Sequence, residues 1–287
     1  MPAPLLFVLS GLTQYVGAAV AVDLFGRLAP TTVAWLRVAV AALVLVAWRR
    51  PWRTRSWWTW PALRTAAVFG VVLAMMNLSF YVAIDALPLG TAVALEFAGP
   101  VAVAAVTGRG WRERVAIAIA ALGVVLLAGV SLDAGPDAVR GLVAIAVAAA
   151  CWAAYILLGR RVATATTGGL TGLTVAMSVG GLAFAPFFAA GAAPVLHDWQ
   201  LALAILVIAV CSSVVPYGVE QVVLRRVRPA TFAVLLALLP ATAAVVGAVM
   251  LQQVPHGLEV VGLVLVSGAI ALTARVADAP EEAPPPA

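Results

Sequence analysis

The chain has 287 residues, 64% of them hydrophobic and 10% charged, with a mean hydropathy of +1.09. A soluble domain carries about a quarter charged residues, so a soluble globular protein is excluded. The net charge is +5, but all 17 basic residues are Arg and fall in short loops between apolar runs; with no single basic face, a nucleic-acid-binding surface is excluded too.

A helix crossing the hydrocarbon core needs about 20 mostly apolar residues. In chain order such runs occupy 5–22, 31–48, 62–84, 89–107, 115–132, 141–158, 169–191, 200–222, 230–251 and 258–274. The first run lacks the positive n-region of a signal peptide and reads as a span. The loop after the second, WRRPWRTRSWWTW, mixes Arg and Trp, as an interfacial belt against anionic lipid does. Cys151 and Cys211 lie inside apolar runs and read as buried thiols. The tail from Val276, rich in Pro and Glu, is expected to be a disordered cytoplasmic tail over 276–287.

Arginine placement tests the count. With the N-terminus in the cytoplasm, fourteen arginines fall inside and two, Arg27 and Arg140, outside, while Arg37 lies within a span. Losing one span would scramble this alternation, so the positive-inside rule supports ten spans with both termini cytoplasmic. The segment from Gly90, GTAVALEFAGPVAVAAV, resembles that from Ala230, ATFAVLLALLPATAAVV, with Thr91/Thr231, Leu95/Leu235 and Pro100/Pro240 in register. Two five-span units in one chain must run in opposite directions through the bilayer, a common plan for secondary transporters with a site between the halves.

Ionisable groups inside spans are costly and tend to mark substrate or ion pathways. Here they are Arg37, Glu96 and Glu220, with the amides Gln14 and Asn77 beside them. Counted from the outer boundaries, Arg37, Asn77 and Glu96 lie roughly 10 Å deep at 1.5 Å per residue, and Gln14 slightly deeper. Polar groups on different helices at one level predict a shared polar layer. Asn77 and Tyr81 share a helix face by i, i+4 spacing; Trp152 with Tyr155 and Tyr217 with Glu220 do so by i, i+3. The bland alternatives are that Arg37 cross-links helices through carbonyls, that Glu220 pairs with Arg225 or Arg226, that the amides bond neighbouring helices, and that the aromatics only pack. No HExxH, GxSxG or P-loop pattern occurs, so neither an intramembrane enzyme nor an ATP-driven pump is expected, and no cofactor.

The stretch MNLSFYVAIDALPLGTAVALEFAGPVAVA from Met76, CWAAYILLGRR from Cys151, VPYGVE from Val215 and Gln14 in the first span resemble the drug/metabolite transporter superfamily, specifically its EamA-type ten-helix members and, among those, exporters of threonine and homoserine. The resemblance implies an all-α membrane protein of ten transmembrane helices, built as two inverted five-helix repeats around a central cavity, here 1–136 and 137–275. It also implies proton-driven export of small amino acids across the bacterial inner membrane. The partners implied are a small-molecule substrate, protons and the lipid bilayer. On that reading Gln14, Arg37, Asn77, Tyr81, Glu96, Trp152, Tyr155 and Tyr217 contribute to the substrate site, and Glu96 or Glu220 carries the coupling proton. Two positions depart from the family pattern: Leu239 stands where an acidic residue is expected, and Gln252–Gln253 replaces Gly-Glu. A drug or other metabolite permease of the same fold is the rival reading.

Overall fold

The computed structural model describes residues 3–53, 58–107, 111–132, 135–164, 169–216, 219 and 236–276, and every regular element among them is helical. The Ala-, Val- and Leu-rich runs dictate this, because in hydrocarbon only a helix satisfies its own backbone N–H and C=O groups within one segment. The chain opens with α1 (Ala3–Leu24), α2 (Pro30–Arg49) and α3 (Trp60–Ala86). Next come α4 (Leu89–Glu96) and α5 (Ala98–Thr107), two pieces of one apolar run, then the long α6 (Trp111–Leu132), α7 (Ala138–Thr164) and α8 (Gly169–Phe188). A short α9 (Ala193–His197) leads into α10 (Trp199–Ala209), which continues as a π-helical turn over Val210–Val214. The last described helices are α11 (Leu239–Met250) and α12 (Leu258–Val276).

Among the described residues α2, α3, α6, α7 and α8 are long and apolar enough to cross a membrane. The pair Ala190–His197 and Trp199–Val214, bent by 114°, adds a sixth span if taken as one. Val8–Leu24, Leu89–Val103, Leu239–Met250 and Leu258–Leu272 are shorter apolar stretches. The protein is therefore a multi-pass membrane protein.

Several expectations change in detail. The fourth apolar run breaks at Phe97, because Pro100 has no N–H to give the carbonyl of Glu96, four residues earlier. The eighth is α-helical only to Ala209 before widening into the π turn. Cys151 and Cys211 are free thiols, but half-buried rather than buried. Helix α12 runs through Val276, one residue into the expected tail. The rest of that tail, Tyr217 and Glu220 lie outside the described residues.

Helix α3 packs against α2, α7 and α8, α6 against α12, and α2 against α8 and α10. Toward the centre, α1 meets α11 and the π turn, while α4 meets α11 and α7. The main buried cluster lies there, around Tyr15, Tyr81, Leu89, Phe97 and Val246. Small residues permit the closest approaches, as in membrane helix pairs generally. A Cβ at Gly90 would lie 2.7 Å from Ala244 Cα, and one at Gly70 would lie 2.0 Å from the Ala176 carbonyl oxygen.

The two arginines set apart from the other loops are both paired. Arg27 meets Asp198 at 2.6 Å, and Arg140 bonds Asp85. Asp198 also caps α10, accepting the N–H groups of Gln200 and Leu201. The Arg27 guanidinium beside it, helped by those N–H groups, holds its carboxyl below the usual carboxylate range. A depressed pKa contributes stability above the unfolded-state value, and that contribution is lost as pH falls through the folded value. The pair is solvent-exposed, so the effect is small.

The α4–α11 contact sets the first prediction. Gly90→Val forces a side chain into the Ala244 backbone and costs about 1–3 kcal/mol, read as a lower melting temperature in detergent. Gly26→Ala, where nothing lies within 4 Å of the new methyl, leaves the melting temperature unchanged.

Candidate functional site

The site starts from Arg37. A guanidinium in the middle of α2 has no water to bond and must find acceptors in neighbouring helices. The π turn supplies them: Arg37 Nε donates to Ser213 Oγ at 3.0 Å, and an Nη donates to the carbonyl of Ser212. A π turn widens the helix and recurs at functional sites; here Arg37 occupies a carbonyl within it. The turn is pinned from α1 as well, since Ser212 Oγ donates to the Gln14 carbonyl at 2.9 Å. Gly17 makes this possible, because a Cβ there would lie 2.2 Å from Ser212 Oγ. Arg37 is 7% exposed, and its guanidinium lies over the Tyr81 ring, 5.5 Å from the centroid, a cation–π arrangement. Two of its five N–H donors are engaged by these bonds, which leaves donors for a ligand.

These elements surround a cavity of about 150 Å³. Gln14, Arg37, Asn77, Glu96, Trp152 and Tyr155 all line it, so the polar groups expected at one depth do meet. Glu96 ends α4 at the break, where the span is interrupted. Trp152 sits edge-on to Phe97 with centroids 4.7 Å apart, and Tyr155 stacks on Phe69 at 4.7 Å. Among the described residues no ion pair joins Arg37 to Glu96, although both face the cavity. The site thus offers a guanidinium and a carboxyl group in one cavity lining.

Tyr81 differs from expectation. It is fully buried and absent from the described lining, and its hydroxyl has no hydrogen-bond partner among the described residues. It sits behind Arg37 as a platform, its ring beneath the guanidinium. Of the bland alternatives, the cross-linking role of Arg37 is real: it ties α2 to a carbonyl. The sequence reading missed Ser10, Tyr15, Ser212 and Ser213. The signal for the last two was present as a Ser-Ser pair in an apolar run just before Pro216. Leu239, at the position where an acid was expected, also lines the cavity, so Glu96 is the one carboxylate in its described lining.

A second cavity of about 210 Å³ lies at the other side of the α4–α11 contact. Thr91 donates to Glu259 Oε1 at 2.8 Å, and the Leu89 N–H, unsatisfied at the start of α4, donates to Gln253 Oε1 at 2.9 Å. Gln253, one of the departures from the family pattern, therefore caps a helix.

Over residues 139–275 the chain matches the model of the EamA-like transporter family. The threonine/homoserine exporter RhtA of Salmonella typhimurium strain LT2 and that of Escherichia coli K12 are each 35% identical over 247 residues, 86% of this chain and 82% of theirs. The chain belongs to the EamA-like transporter family. A solved crystal structure of a protein 18% identical in sequence superimposes with a TM-score of 0.59, covering 96% of this chain and 98% of the other, which speaks to the fold alone. Of the segments that resemble the family, those from Met76 and Cys151 contribute Asn77, Glu96, Trp152 and Tyr155 to the first cavity.

Removing an acceptor from Arg37 tests how the site is held. Ser213→Ala forfeits a hydrogen bond to a charged group, a loss of about 1.5–3 kcal/mol, while Ser213→Thr keeps the hydroxyl and most of the stability. Arg37→Lys does not substitute, because an ammonium lacks the planar fork that reaches Oγ and carbonyl together. Thermal unfolding in detergent orders the series as wild type, Ser213→Thr, Ser213→Ala, Arg37→Lys.

Proposed function

We propose that this protein is a secondary exporter of small zwitterionic amino acids, threonine and homoserine first, driven by the proton gradient across the bacterial inner membrane. The observation that carries the reading is the small cavity with Arg37 and Glu96 on its wall. A free amino acid presents a carboxylate and an ammonium a short distance apart, and the spare Arg37 donors suit the first while Glu96 suits the second or carries the coupling proton. Glu220 is the alternative proton site. Gln14, Asn77, Trp152, Tyr155 and Tyr217 shape the cavity, and Tyr81 steadies Arg37. The relatives that share 35% identity are named as threonine/homoserine exporters, which supports the same substrate class here.

We further infer ten spans in two inverted five-helix units, 1–136 and 137–275, with both termini cytoplasmic. Taking α4 with α5 as one span and α10 with the π turn as another, an exchange of each span with the one five positions on maps most main contacts onto one another, the exception being α2–α3, whose counterpart α8–α10 is not a main contact. The pair α3–α7 becomes α10–α1, α3–α8 becomes α10–α2, and α1–α11 becomes α7 with α4 and α5, while α2–α8, α4–α11 and α6–α12 map onto themselves. Two inverted units of one fold would pack in this way.

The rival, a drug permease, fits the cavity less well: about 150 Å³ falls below the roughly 300–1,000 Å³ typical of drug-sized ligand sites. Proteoliposomes loaded with labelled threonine decide between them. Efflux accelerated by an imposed proton gradient, and competed by homoserine but not by bulky dyes, is the expected result; absence of gradient-dependent flux for every small amino acid refutes the substrate assignment. In the same assay Glu96→Gln is expected to lose at least tenfold in flux and to flatten its pH dependence. An unchanged pH profile would remove Glu96 as the proton carrier and turn attention to Glu220.

A further inference from the structure

Asn77 is the only Asn in the chain and is 5% exposed. Its Nδ2 donates to the Leu73 carbonyl, one turn back in α3, at 2.8 Å. A carbonyl can only accept, so this bond fixes the amide with nitrogen toward the helix and oxygen away from it. Among the described residues no donor reaches Asn77 Oδ1, and the side chain borders the cavity. The cavity wall therefore carries an oriented acceptor that no donor among the described residues satisfies.

Its position relative to Arg37 adds the second observation. Tyr81, the platform beneath the guanidinium, lies one helical turn from Asn77, and side chains so spaced are about 5–6 Å apart. A carboxylate on the spare Arg37 donors and an ammonium at Glu96 would leave the side chain of a short amino acid directed along α3 toward Asn77. Glu96 is the stronger acceptor and takes the ammonium, so the neutral Oδ1 is left for a neutral donor.

We propose that Asn77 Oδ1 accepts a hydrogen bond from the side-chain hydroxyl of the substrate and so makes the site selective for hydroxy amino acids over their deoxy counterparts. This rests on the reading of the cavity as a small-amino-acid site. Threonine and homoserine both become 2-aminobutyrate when the hydroxyl is replaced by hydrogen, so one comparator serves for both. With 2-aminobutyrate Oδ1 gains no hydrogen bond from the ligand that covers it, which corresponds to about ten- to hundredfold discrimination.

The test measures kcat/KM in proteoliposomes for threonine, homoserine, 2-aminobutyrate and O-methylthreonine. Wild type is expected to prefer the two hydroxy substrates at least tenfold over both the deoxy and the O-methyl compound, since a methyl ether accepts but cannot donate. Equal handling of threonine and 2-aminobutyrate by wild type overturns the proposal while leaving the small-amino-acid reading intact. Transport of none of the four overturns both. In Asn77→Leu all fluxes fall, and the preference for threonine over 2-aminobutyrate collapses to within about twofold; a preserved preference, or a protein that melts like wild type and carries nothing, overturns the assignment. Should Asn77→Leu fail to fold, Asn77→Asp, which keeps an acceptor oxygen, is read instead. Retained preference in that variant supports the role of Oδ1, and its loss refutes it.

Discussion

Within an apolar bundle a guanidinium has few places to go, and the way Arg37 is satisfied organises much of the centre of this protein. Its bonds to Ser212 and Ser213 need a helix whose backbone presents a free carbonyl, and the π turn does this. The turn in turn needs room, which Gly17 leaves, and an anchor, which the Gln14 carbonyl provides. Tyr81 closes the other side. Three helices are thereby fixed relative to one charge, and the cavity wall follows from their positions.

The second irregularity complements the first. Pro100 withholds an N–H from the carbonyl of Glu96, so the span that carries the carboxylate breaks beside it. Non-helical backbone at membrane depth is tolerated where it is buried in protein or lines a cavity, and both the Phe97 break and the π turn border the same one. The Arg37 guanidinium sits against one departure from helical regularity and the Glu96 carboxyl beside the other.

Much of this was legible beforehand. Gln14, Arg37, Asn77 and Glu96 were placed together by counting residues from span boundaries, because the rise of a helix converts sequence position into depth and polar groups at one depth in hydrocarbon seek each other. The π turn was not legible, since one extra residue in a turn leaves an apolar run looking the same; only the Ser-Ser pair hinted at it. Tyr81 was assigned to the cavity from helical spacing, but its ring lies beneath the Arg37 guanidinium, a contact with another helix that spacing along α3 does not encode. The bonds from Thr91 to Glu259 and from Leu89 to Gln253 link residues more than 160 positions apart, and no local pattern announces such a pair. Composition identified the class, and the blocks around Met76 and Cys151 identified the family.

At position 90 a glycine lets α4 meet α11 backbone to backbone. The first cavity borders α4 at Val93 and Glu96 and the second at Gly90 and Thr91, where Gly90 meets the backbone of Ala244. A barrier made of a long side chain would swing open with each rotamer change, in picoseconds to nanoseconds. At this point in the wall there is no side chain to swing. Opening the contact demands that two helix backbones part, a collective motion on the microsecond-to-millisecond scale. For the export function proposed above, this sorts motions by timescale: the contact stays shut through fast side-chain fluctuations and yields only to slow backbone motion.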